Sequence, residues 1–319
     1  MLRFGPLDDA WRLTRPARVS NRRGMTVAAS DIPVLDSIKS LASRYRGWLV
    51  DIWGVMHNGH RAFPRAVAAT RAFRATGGIV VLLSNSPRPS PSVMDQLRRV
   101  GVPDDAYDAT VTSGDLTRHE LAKHAGATVF HLGPLRDRPI FEGLDVKLGR
   151  HEDSERIVCS GLFDDETETP EDYSELLSAL ATRKLPMICA NPDQLVERGD
   201  QLVWCAGALA AVYEKAGGPV VYAGKPYAPI YMLALETIGA LAGRSVPKSE
   251  FLAIGDGVHT DIAGAAGVGI DSVFVASGLH RPANRGGEAG GEALDAAHLD
   301  ALFAHANPRP VGAMRALIW

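Results

Sequence analysis

Trp48-Leu49-Val50-Asp51-Ile52-Trp53 is an apolar run interrupted by a single carboxylate. A strand exposed on one face alternates polar and apolar residues, whereas a continuous apolar run predicts a strand covered on both faces. Residues 79–83 (IVVLL) read the same way, and a short third strand is predicted at 110–112. Between them, residues 64–75 read as a helix that opens on Pro64 and is stopped by Gly77 and Gly78. Residues 91–100 read as another helix. Upstream, Ile32, Leu35, Ile38, Leu41 and Ala42 fall near one face of a helix predicted over 31–45. The pattern returns late, with strands at 220–222, 251–254 and 272–275 and helices at 229–240 and 260–266. Buried strands alternating with helices predict an α/β fold: a three-layer, doubly wound parallel sheet with helices on both faces.

Residues 114–216 interrupt this pattern with an alternation of their own. Strands are predicted at 128–131, 156–159 and 187–190, and helices at 171–181 and 206–215. The chain therefore divides into an outer unit, 30–113 with 217–319, and a smaller α/β unit inserted at 114–216. The tail after residue 279 holds a glycine-rich loop at 285–291 and a last helix at 294–304. The first 24 residues carry six arginines and two aspartates, without an apolar core of signal-peptide length. Residues 1–29 accordingly read as a disordered tail or as an extension ahead of a start at Met25.

Composition narrows the function classes. A formal net charge of −3, spread over both signs, gives no basic balance for nucleic acid. The longest apolar run, 202–213, is too short to span a bilayer and is broken by Gly207. Three cysteines, Cys159, Cys189 and Cys205, make neither a disulfide framework nor a C-x-x-C pair. They read as buried free thiols in a reducing cytoplasm.

Four chemical candidates follow predicted strands, where open α/β sheets build their sites. Asp51 ends the first. Ser84-Asn85-Ser86 follows the second, where a small hydroxyl and backbone N–H groups can hold a phosphate oxygen. Gly224-Lys225-Pro226 offers a lysine able to act as a point charge between a nucleophile and a phosphate. Gly255-Asp256-Gly257-Val258-His259-Thr260-Asp261 places two carboxylates five residues apart on a glycine-rich loop, a donor set suited to Mg²⁺. Taken singly, each has an ordinary reading as a cap, a turn or a solvated lysine. The glycines of Gly264-Ala265-Ala266-Gly267-Val268-Gly269 sit within a helix rather than straight after a strand, which argues against a dinucleotide site.

Together, the order Asp, Ser, Lys, Gly-Asp-x-x-x-Thr-Asp resembles the haloacid dehalogenase superfamily. The insertion between the second and third motifs resembles the large α/β cap of its class IIA branch. Phe63-Pro64-Arg65-Ala66, Asn191-Pro192-Asp193 and Cys205-Ala206-Gly207-Ala208 are further matches. The resemblance spans about residues 30–280. It implies a Rossmann-like core, a Mg²⁺-dependent phosphatase and a small phosphorylated metabolite, such as a sugar phosphate or nucleotide, as substrate. It implies Asp51 as the nucleophile that becomes an aspartyl-phosphate, and Ser84, Asn85 and Lys225 around the phosphoryl group. The metal would be held by Asp51, the Trp53 carbonyl, Asp256 and Asp261. Cap residues near Asn191 and Asp193 would face the substrate, and relatives often pair through the cap, so a homodimer is a further expectation.

Trp53 departs from the pattern. The family has a second aspartate there, which protonates the leaving oxygen and then activates water; indole can do neither. Such help is worth about 10²–10⁴ in rate. His57 is the nearby candidate to replace it, and His259 a second. Two other readings compete with a working phosphatase. One is a catalytically impaired phospho-ligand binding or regulatory protein. The other is a carbon–halogen hydrolase, disfavoured because motif four is of the metal-binding type.

Overall fold

The computed structural model describes residues 32–198, 201–276, 294, 296–304 and 309–319. Its strands are β1 (Gly47–Asp51), β2 (Ile79–Ser84), β3 (Ala109–Thr112), β4 (Thr128–Leu132), β5 (Lys147–Leu148), β6 (Arg156–Cys159), β7 (Met187–Cys189), β8 (Leu195–Arg198), β9 (Gln201–Trp204), β10 (Val220–Tyr222), β11 (Phe251–Gly255), β12 (Asp271–Val275) and β13 (Gly312–Met314). Six form one parallel sheet in the order β13-β12-β11-β1-β2-β3. Every residue of β1, β2 and β11 is buried.

Side chains alternate across that sheet with the two-residue period of a strand, so one apolar run feeds two cores. Trp48, Val50, Val80, Leu82, Leu252 and Ile254 face the helices Pro64–Ala75 and Ser90–Val100. There Trp48 stacks on Phe73, with ring centres 3.8 Å apart. Leu49, Val81, Leu83 and Ala253 face the opposite way, against Ile230, Leu233 and Ile238 of the helix Ala228–Ala242. Each such aliphatic side chain contributes about 1.5–3 kcal/mol by leaving water. A second parallel sheet, β10-β7-β6-β4-β5, carries its own core, with Leu177, Leu180, Leu209 and Tyr213 packed on it. The hairpin β8–β9 stands apart from both sheets.

Several expectations are corrected. Residues 32–38 are not helical, and only Lys39–Ala42 forms a short helix. Pro33 cannot continue a helix, and its segment is drawn instead to the sheet edge: Leu35 N–H donates to the Ala313 carbonyl at 2.8 Å and Ala313 N–H to the Pro33 carbonyl at 2.9 Å. β10 was assigned to the outer unit, yet it pairs with β7 in the second sheet. Ser113–Leu121, at the start of the insert, packs both on the turn Leu135–Phe141 of the insert and on β3 and Ala228–Ala242 of the outer unit. The helix expected at 260–266 is present, opening as a wide π turn, Val258–Ile262, that runs into the α-helix Ala263–Gly267. β13 and the β8–β9 hairpin are not expected from the sequence, because β13 is short and β9 merges with the apolar run 202–213. The tail at 1–29 and the glycine-rich loop at 285–291 lie outside the described residues. Among the described residues no helix is long and apolar enough to cross a membrane, and all three cysteines are buried and free.

Candidate active site

β1 lies at the centre of the six-stranded sheet, where the chain turns from one half to the other. In doubly wound sheets the crevice beyond the carboxyl ends at that point is where ligands bind. Asp51 and Ser84 are the last residues of β1 and β2, and Asp256 follows β11 directly. Lys225 arrives differently from the other three. It follows β10 of the second sheet, on the return crossing, through Gly224 at φ +152°. A side chain at 224 would collide with Ser113 Oγ and Asn85 Oδ1. Asp261 is folded back by the wide turn and sits against Gly255, where no Cβ would fit.

The result is a buried charge cluster. Lys225 Nζ donates to Asp51 Oδ1 at 2.6 Å and to Asp261 Oδ1 at 2.8 Å. Ligand oxygens of Asp51, Asp256 and Asp261 lie within 4.8 Å of one another. None of the four residues is more than 8% exposed. Burial pushes the Asp51 carboxyl up to about 7; Lys225 opposes that and Asp261 adds to it. Burial, then repulsion from Asp51 and Asp261, holds Asp256 well above the usual carboxylate range. Burial alone would lower Lys225, but Asp261 and Asp51 outweigh it and hold the ammonium firmly protonated. Three carboxylates thus share one ammonium, and the cluster is short of positive charge. A hard, all-oxygen donor set of this kind fits Mg²⁺. Asp261 is the most committed of the three: its other oxygen accepts from Gly257 N–H and Thr260 Oγ, both at 3.2 Å.

Ser84 Oγ lies in the same pocket and accepts from Ser86 N–H at 3.1 Å. Asn85 was expected at the phosphate, but its side chain is engaged elsewhere. Its Oδ1 accepts from Lys225 N–H at 2.7 Å, while its Nδ2 donates to the Lys225 carbonyl at 3.1 Å and to Asp193 Oδ1 at 2.9 Å. One amide therefore holds the lysine backbone on both sides and ties it to the inserted unit. Asp193 N–H in turn donates to Asn191 Oδ1 at 3.1 Å, so both predicted cap residues reach the site.

Trp53 lines the cavity, with its ring 5.0 Å from that of His57 in an edge-on contact. It covers Gly59, at φ +90°, where a Cβ would lie 2.8 Å from the indole. His57 is buried, and its Nδ1 accepts from Gly59 N–H at 2.8 Å. Burial pulls its pKa down to about 4. That shift disfavours the charged imidazole that a proton donor at neutral pH would need. His259 is exposed.

The site opens into a cavity of about 1950 Å³ between the two units. Arg88, Arg136, Asp137, Asp165 and Arg198 line it; Arg198 ends the cap segment 191–198 expected to face the substrate, and the other four have no signal in the sequence. They come from three separate loops or turns and from the β8–β9 hairpin, with no shared spacing to betray them.

Comparison with known proteins follows this geometry. A family model described as haloacid dehalogenase-like hydrolase matches residues 48–147, and one described as HAD-hydrolase-like matches 222–301. A solved haloacid dehalogenase-like family hydrolase from Brucella suis is 44% identical, with a TM-score of 0.79; the alignment covers 89% of this chain and all of that one. An acid sugar phosphatase from Staphylococcus epidermidis is 28% identical over 241 residues, covering 74% of this chain and 88% of the relative. The 5'-nucleotidase YutF of Bacillus subtilis is 26% identical over 238 residues, with the same shares covered.

Proposed function

The chain belongs to the haloacid dehalogenase-like hydrolases, class IIA, and on that premise we propose that it is a Mg²⁺-dependent phosphatase working through an aspartyl-phosphate at Asp51. It is a hydrolase acting on phosphoric monoesters, in keeping with relatives named as a sugar phosphatase and a nucleotidase. The observation that carries the mechanistic reading is the buried Lys225 ammonium bridging Asp51 and Asp261.

In this reading the Asp51 carboxylate attacks phosphorus and the ester oxygen leaves; water then cleaves the acyl phosphate. Its other oxygen accepts from Lys225, which fixes the direction of attack and balances charge between nucleophile and phosphoryl group. Ser84 Oγ and the backbone N–H groups beside it hold the phosphoryl oxygens. Asn85 acts on Lys225, holding its backbone in place. Asp261 orients the ammonium from the far side. Mg²⁺, held by Asp51, Asp256 and the Trp53 carbonyl with Asp261 behind them, would supply the missing positive charge where phosphoryl oxygens gather. Trp53 offers no proton to the leaving oxygen, so esters with good leaving groups, aryl or acyl phosphates, turn over faster than alkyl phosphates. The substrate is a small phosphorylated metabolite.

Phosphate release from a panel of esters with Mg²⁺, run on wild type and Asp51→Asn, tests the reading. Wild type hydrolyses p-nitrophenyl phosphate, and the variant loses activity by a factor on the order of 10⁴ or more. Tight ligand binding by wild type without any turnover would favour a phospho-ligand binding protein instead.

A further inference from the structure

Resting on the phosphatase reading, we infer that the cavity selects substrates bearing a second oxyanion, a carboxylate or a second phosphate, received by Arg88 between the cap arginines Arg136 and Arg198. Arg88 stands in the loop after Ser84-Asn85-Ser86-Pro87, half-buried on the cavity wall. Desolvation pulls its guanidinium below the usual value, and the nearby charges of Arg136, Arg99 and Arg198 act in the same direction against Asp137. Among the described residues no carboxylate forms an ion pair with it. Its side-chain partner is the neutral Gln96 amide. A guanidinium that has lost water without gaining a counter-ion is a site for an arriving anion.

The neighbours do not discharge it. Arg136 and Arg198 share one carboxylate, Asp165, leaving that trio a net positive charge. Asp137, the acid nearest in effect to Arg88, makes no ion pair with it among the described residues and is itself raised by burial against the pull of Ser160, Arg136 and Arg88. The cavity wall as a whole carries seven lysines and arginines against five aspartates, in a chain whose net charge is −3. Arg88 is four chain steps from Ser84, so the two Cα atoms lie within about 14 Å of each other. A single small molecule can therefore place its phosphoryl group at Asp51 and its second anion at Arg88. A neutral sugar phosphate would leave Arg88 desolvated and without a counter-ion, which is what makes the site selective rather than merely tolerant.

Two matched pairs test this: glycerol 3-phosphate against 3-phosphoglycerate, and fructose 6-phosphate against fructose 1,6-bisphosphate. Hydrolysis with Mg²⁺ is measured for each, together with calorimetric binding to Asp51→Asn. The acidic member of at least one pair is expected to lead by tenfold or more in kcat/KM, through KM. Which pair shows it tells carboxylate from phosphate. Arg88→Gln brings that ratio towards one, and Arg88→Lys retains part of it. Equal rates and equal affinities within both pairs overturn the inference while leaving the phosphatase reading intact. If no ester is hydrolysed, the phosphatase reading fails, and equal calorimetric affinities then overturn the inference by themselves.

Discussion

Two polar clusters, one on the floor of the cavity and one in the cap, differ in whether a cation stands among their acids. On the floor, Asp51, Asp256 and Asp261 crowd around the Lys225 ammonium. In the cap, Ser160 and the buried Asp137 line the cavity, and His131, which does not, has its Nε2 2.9 Å from Ser160 Oγ. Burial pulls His131 down to about 4 and raises Asp137, so the wall moves towards neutrality. The floor differs in holding a cation: Lys225 bridges Asp51 and Asp261, although burial raises Asp51 and Asp256 as well. A protein that needs only packing neutralises its buried acids. One that keeps them together around a single cation holds room for another.

The contrast predicts unequal costs when each cluster is cut. Lys225→Met leaves two buried carboxylates without their ammonium, and the metal-free protein should lose about 3–5 kcal/mol in urea unfolding. Millimolar Mg²⁺ should restore part of that stability. A loss below about 1 kcal/mol would mean that the floor is not held by this ion pair.

Trp53→Asp sharpens the comparison from the chemical side. It returns a proton donor to the floor in space the indole now fills over Gly59. Turnover of glycerol 3-phosphate should rise by about 10²-fold, with a smaller gain for p-nitrophenyl phosphate, whose leaving group needs less help. Equal gains for both esters would show that leaving-group protonation is not what Trp53 withholds.

The smallest effects are in pH dependence, and their signs differ. His131 has a folded value near 4 against an ordinary 6.5, so the unfolded chain binds the proton first and stability falls as pH drops from about 6.5 towards 4. His131→Asn should flatten that fall, by about 3 kcal/mol at most. Asp51 is raised to about 7 from 3.8, so the metal-free folded chain keeps a proton that the unfolded chain releases, and stability declines as pH rises from about 4 to 7. Asp51→Asn should remove that decline. Thermal melts across this range, without metal, check both. Parallel pH profiles for the two variants would erase the distinction between floor and wall.

Much of the floor was legible because strand ends carry it. Continuous apolar runs at β1, β2 and β11 locate Asp51, Ser84 and Asp256 without any structure, since a parallel sheet brings its carboxyl ends together. Lys225 was legible as a residue but not as a position. Val220–Tyr222 reads as a core strand, and only pairing with Met187–Cys189 places it in the second sheet. The role of Asn85 was hidden for a related reason: its partners, Lys225 and Asp193, lie more than a hundred residues away. The helix expected at 31–45 failed because apolar spacing cannot register the competing sheet edge at Ala313. The arginine wall had no periodicity at all; it exists only once the loops and the hairpin converge.

The account stands most directly on the fate of Asp51 during turnover. Wild type mixed with p-nitrophenyl phosphate and Mg²⁺, quenched in acid within one turnover and digested for mass spectrometry, should yield a phosphorylated peptide with the adduct on Asp51. Asp51→Asn should yield neither adduct nor released phosphate. Full phosphate release by Asp51→Asn, with no modified peptide from either protein, would contradict the nucleophilic role on which the whole reading of the floor depends.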